Sequence, residues 1–77
     1  TMPFMDELDF ELRGDYIPLD ALLKATGLAP SGGSARMLIT DGQVLVDGQA
    51  ELRKTCKIRA GQVVSLGDVR VLVRAAS

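Results

Sequence analysis

Leu8, Phe10 and Leu12 alternate with Asp9, Glu11 and Arg13, the period of two with which a strand buries one face and wets the other. The pattern predicts a short first strand ending near Gly14 and Asp15. Pro18 then presets a helical φ, and Leu19, Leu22, Leu23 and Thr26 recur at helical spacing as far as Gly27, a residue suited to a left-handed stop. This spacing predicts a first helix of about two to three turns. Asp20 and Lys24 lie four apart on its outer side, acid first, the order that stabilises a surface pair by roughly 0.2–0.5 kcal/mol.

Pro30-Ser31-Gly32-Gly33-Ser34 breaks that helix and starts another, with Ser31 as N-cap and Ser34 as the alternative, running to Gly42. On a helical wheel Ala35, Leu38 and Ile39 share one arc, while Arg36 and Thr40 lie together outside it, so Arg36 points away from the core. After Gly42 the period returns to two. Val44 and Val46 point one way, Asp47-Gly48 makes a tight turn, and Ala50 and Leu52 begin the return. The run Arg53-Lys54-Thr55-Cys56-Lys57-Ile58-Arg59, if extended, buries Cys56 and Ile58 and exposes Arg53, Lys57 and Arg59. Ala60-Gly61 turns the chain, residues 63–66 make a strand, Gly67-Asp68 turns again, and Val69, Val71 and Val73 alternate with Arg70, Leu72 and Arg74. The expected class is α+β: two short helices packed on a small, mostly antiparallel sheet of about four to five strands. One domain is expected over residues 1–77, flexible over residues 1–6.

Composition narrows the chemistry. At 77 residues, 47% hydrophobic and 25% charged, the chain should fold but is too short to divide its core. Phe4, Phe10 and Tyr16 are the only aromatics, so most of the core must be aliphatic. A single cysteine and no histidine exclude an internal disulfide and a Cys/His zinc site, and fit a reducing cytoplasm. With no apolar run longer than three residues and an acidic start, neither a membrane span nor a signal peptide is expected.

The net charge of −1 conceals a sorted distribution. Residues 1–20 carry Asp6, Glu7, Asp9, Glu11, Asp15 and Asp20 against Arg13 alone. Residues 21–77 carry eight basic residues against Asp41, Asp47, Glu51 and Asp68. Such sorting predicts a dipolar surface with one face suited to polyanions.

Two short helices followed by hairpins, with Gly42-Gln43-Val44-Leu45-Val46-Asp47-Gly48 opening the sheet, form a specific order of elements. Together with Leu19-Asp20-Ala21-Leu22-Leu23-Lys24 and Ser31-Gly32-Gly33-Ser34-Ala35-Arg36-Met37-Leu38-Ile39, it resembles the RNA-binding domain named after the fourth protein of the small ribosomal subunit. The resemblance spans residues 17–66. Residues 51–58, Glu-Leu-Arg-Lys-Thr-Cys-Lys-Ile, look most like the stand-alone bacterial YbcJ type within it. The resemblance implies an αL-shaped helix pair on a small sheet, with RNA held on a basic surface formed by the helices and the loop after the hairpin. Carried over by position, Arg36, Arg53, Lys54 and Lys57 fall on that surface, with Arg59 and Lys24 as outer contributors. The chain departs from the family in its slightly acidic balance and its acidic first strand.

Structured RNA of the ribosomal or transfer class is the expected partner, and a monomer the expected state, with no small-molecule substrate, cofactor, metal or catalytic residue. Arg and Lys on a rigid helix pair can read the shape of a duplex, whereas stacking of extended single strands lacks aromatics beyond Tyr16. Plainer readings stand beside these. The basic run also fits a solvated loop, Arg36 a surface ion pair, and Lys24 its pairing with Asp20. Gly32-Gly33 fits either a phosphate-facing helix start or a flexible connection. Cys56 reads as a small core residue, unless exposure lets Lys54 and Lys57 lower its pKa. Without histidine no Ser/His or Cys/His arrangement exists, and Asp9 and Glu11 read as a strand's wet face. Competing functions are a protein adaptor that uses the acidic strand as an edge, and an accessory RNA-binding subunit of an RNA-modifying enzyme.

Overall fold

The alternation at the start of the chain forms strand β1 (Asp6–Leu12), in which Leu12 is buried and Leu8 and Phe10 pack against the core. The computed structural model describes residues 6–76. The flexible segment expected over residues 1–6 lies outside the described residues except for Asp6. That residue is ordered into β1, because its N–H donates to the Asp68 carbonyl at 3.2 Å. A two-residue strand, β2 (Ile17–Pro18), leads into helix α1 (Leu19–Ala25), which buries Leu19, Leu22 and Leu23 and ends before Gly27 at φ 80°. The expected Asp20–Lys24 pair does not form. Asp20 Oδ1 instead accepts the Ala21 N–H at 2.8 Å, serving the start of its own helix, where N–H groups lack intrahelical partners.

Helix α2 (Gly32–Thr40) is capped by Ser31, whose Oγ accepts the Ser34 N–H at 3.2 Å. It buries Ala35 and Ile39 and leaves Arg36 exposed. Strands β3 (Val44–Val46) and β4 (Gln49–Ala50) are joined by Asp47 and Gly48, both at positive φ, the backbone that a two-residue turn between twisted strands requires. The Asp47 side chain also bonds beyond its own hairpin, its Oδ1 accepting the Val63 N–H at 3.0 Å. Strand β5 (Lys57–Ile58) follows the basic loop, and β6 (Val63–Leu66) and β7 (Val69–Ala75) form the last hairpin.

The main sheet runs β1-β7-β6-β3-β4, and β2 and β5 form a separate antiparallel ladder. The fold is therefore α+β, two helices on a mixed sheet of five strands plus a small second sheet. Among the described residues the one parallel pair joins β1 to β7, with Leu8 beside Val71 and Phe10 beside Val73. One sheet face carries Val44, Val46, Val64, Val71 and Val73, which close on Leu19, Leu22, Leu23, Ala35, Ile39 and Ile58 in a single cluster. All of these are aliphatic, as the scarcity of aromatics demands.

On the other sheet face the acids of β1 meet the arginines of β7. Glu7 pairs with Arg70, and Asp9 Oδ1 accepts from Arg74 Nε at 2.8 Å. The acidic strand is thus more than a wet face: it neutralises two of the eight cations counted in the second part of the chain.

Candidate nucleic-acid interface

The first turn of α1 determines where the basic loop lies. Pro18 at its N-cap has no side-chain oxygen, and no side-chain cap forms there. The orphaned N–H groups turn to the loop instead: Leu19 N–H donates to the Cys56 carbonyl at 2.9 Å, and Asp20 N–H to the Lys54 carbonyl at 3.0 Å. Residues 53–56 are thereby fastened against the start of the helix pair. Pro18 also pairs with Lys57 in the β2–β5 ladder.

Asp20 links this loop to a second feature. With Ala21, Lys24, Gly32 and Arg36 it lines a concavity of about 290 Å³ between α1 and α2. The Lys24 stem lies over Gly32, its Cδ 3.9 Å from where a Cβ would stand, an ordinary van der Waals distance. Lys24 and Arg36 are both exposed on this concavity, although the Asp20 carboxylate sits beside them. A second hollow, of about 320 Å³, is lined by Arg53, Thr55, Cys56 and Lys57. The six basic positions divide accordingly: Lys24 and Arg36 share the helix concavity, Arg53 and Lys57 the loop hollow, and Lys54 lines neither but is tied through its carbonyl to Asp20. Arg59 lines neither. It follows β5, and its N–H donates to Gln62 Oε1 at 2.7 Å.

Arg53 does not project alone. Its Nε meets Glu51 Oε2 at 3.0 Å, its Nη2 meets Oε1 at 3.3 Å, and its own backbone N–H donates to Oε2 at 3.1 Å. The guanidinium bonds and then the backbone N–H hold the Glu51 carboxyl at about 2, well below its ordinary range. The Arg53 side chain remains 76% exposed and Glu51 only 20%, so the arginine's outer side stays open. Burial, and then the Glu51 carboxylate, push the Cys56 thiol up, which opposes thiolate chemistry there. Cys56 packs against the core cluster.

Two further residues belong to this region. Glu51 is two positions from Arg53, and alternate residues of an extended chain share a side, so spacing could have exposed it. Tyr16 has no such signal. It reaches the loop through the β2–β5 ladder, with Lys57 Nζ 5.0 Å from its ring centroid.

Comparison with known proteins agrees with this fold. The YbcJ proteins of Escherichia coli (strain K12) and of Shigella flexneri are each 48% identical over 58 residues, covering 75% of this chain and 83% of theirs. The solution structure of YbcJ from E. coli, described as revealing an αL motif involved in RNA-binding, matches with a TM-score of 0.63 at 40% identity. That match covers 97% of this chain and 90% of the other. The S4 domain model spans residues 10–74, from β1 to β7. With the helix pair, the hairpin and the loop all inside that span, the chain belongs to the S4 domain family.

Proposed function

We propose that the protein binds structured RNA, of the ribosomal or transfer class or within a ribosome-associated complex, without performing catalysis. Arg36, Arg53, Lys54 and Lys57 make the central contacts, with Lys24 and Arg59 at the margins. The observation that carries this reading is the pair of hydrogen bonds from Leu19 and Asp20 to the loop carbonyls. They join cations far apart in sequence to one helix-and-loop unit. A rigid unit of that kind suits the phosphates and 2′-hydroxyls of an RNA duplex, which are recognised by shape. The αL motif described for E. coli YbcJ supports the same assignment.

Gel-shift titration with structured ribosomal RNA fragments at low salt tests it. Saturable binding is expected, weakened both by Arg53→Gln with Lys54→Gln and by Lys24→Gln with Arg36→Gln. Absence of saturable binding, or binding indifferent to the Arg53 and Lys54 substitutions, would sink the reading. One observation favours a protein partner instead: among the described residues β1 is an edge strand, paired with β7 alone. Capture of one defined protein by the purified chain after nuclease treatment, abolished by a proline at Asp9, would support that second reading.

A further inference from the structure

Tyr16 is the exposed aromatic of the described chain, 44% accessible, while Phe10 packs against the core. Its position follows from the small ladder. Ile17 pairs with Ile58 and Pro18 with Lys57, and one further step of that antiparallel register sets Tyr16 across from Arg59. Ile58 is buried, so alternation turns Tyr16, Lys57 and Arg59 to the opposite, outer face. The Lys57 ammonium lies 5.0 Å from the ring centroid, a cation–π distance that holds ring and cation together.

A ring that stays accessible contributes little to the core, and cations beside it disfavour an apolar partner. A nucleotide satisfies both parts: its base offers a π-face to the phenol, and its phosphates offer charge to Lys57 and Arg59. We infer that Tyr16 is a nucleobase-stacking site. It takes an unpaired base, bulged or terminal, from an RNA helix lying on the neighbouring basic surface. The inference rests on the RNA-binding reading above and narrows its ligand to duplexes that carry such a base. It is compatible with the expectation that stacking of extended single strands lacks aromatics beyond Tyr16: one ring is enough for one base and not for an extended single strand.

The chain contains one tyrosine and no tryptophan, so its tyrosine emission reports this ring alone. Two fluorescein-labelled ribosomal RNA stem-loops, identical except for one bulged adenosine, serve as probes at low salt. The bulged RNA should bind tighter by about fivefold to tenfold, the lower part of the range for one stacked base. It should also quench the tyrosine emission more than the fully paired RNA does. Tyr16→Ala should erase the preference, the bulged and the paired RNA then binding alike, and Tyr16→Phe, which keeps the ring, should retain it. Equal affinity and equal quenching with the two RNAs, or a preference that survives Tyr16→Ala, overturns the inference and leaves RNA binding standing. If the wild-type protein binds neither RNA, the RNA-binding reading falls and this inference with it.

Discussion

Arg53 carries its charge beside an acid that shares it, which makes Glu51 the residue that sets how much of that charge a partner meets. Three hydrogen bonds, two from the guanidinium and one from the Arg53 N–H, converge on the Glu51 carboxylate. They stabilise its ionised form and hold its pKa at about 2 instead of 4.5. A folded-state pKa below the unfolded one gives stability that is complete above the unfolded value and is lost as pH falls through the folded one. The contribution of this pair is therefore intact above about pH 4.5 and disappears towards pH 2. An NMR titration of the side-chain carboxyl carbon should place the Glu51 midpoint near 2 in the wild type and well above it in Arg53→Gln. An unmoved midpoint would mean that another group holds the carboxylate.

At the scale of elements, local chemistry announces itself and distant pairing does not. The β3–β4 hairpin was legible because Asp47-Gly48 supplies positive φ at both turn positions, and α2 because Ser31 caps it and Ala35 and Ile39 share a face. The alternation of residues 8–13 told that a strand exists and which side is wet, yet gave no sign of its neighbour. A strand's partner is fixed by the whole fold, so the parallel β1–β7 pair and the β2–β5 ladder left no local trace. The consequence reaches function, because β1 engages cations that composition assigned to the polyanion face. Arg74 Nε is held by Asp9 on the adjacent strand. Arg74→Gln should accordingly leave both the RNA affinity and its salt dependence unchanged in gel-shift titrations. A log–log slope shallower by about 0.7 to 0.9, one phosphate contact, would instead put Arg74 on the RNA.

For the whole molecule, a net charge of −1 describes neither surface, because the two signs are partly cancelled within the sheet and partly sorted between faces. Of the cations outside the β1–β7 pairs, Lys24 and Arg36 line the helix concavity, Arg53 and Lys57 line the loop hollow, and Lys57 also meets Tyr16 at the end of the small ladder. The family resemblance proposes these cations as candidates, but their joining depends on Leu19 and Asp20 donating to the loop carbonyls, which no spacing predicts. A surface of this size that meets about four to six phosphates should show a salt slope on the order of −3 to −5, at roughly 0.7 to 0.9 per phosphate. Arg53→Gln should flatten that slope by about one contact. If this loop meets the RNA, the substitution should also cost more affinity than one lost contact explains, because Glu51 loses its partner and is left as an uncompensated carboxylate in the loop. The two effects separate in the double variant. Adding Glu51→Gln to Arg53→Gln removes the stranded acid without adding a phosphate contact, so affinity should partly recover while the slope stays at the single-variant value. Recovery of neither would place Glu51 away from the phosphates. Recovery of both would mean that the loop cation reaching the RNA is Lys54 or Lys57, freed once the local acid is gone.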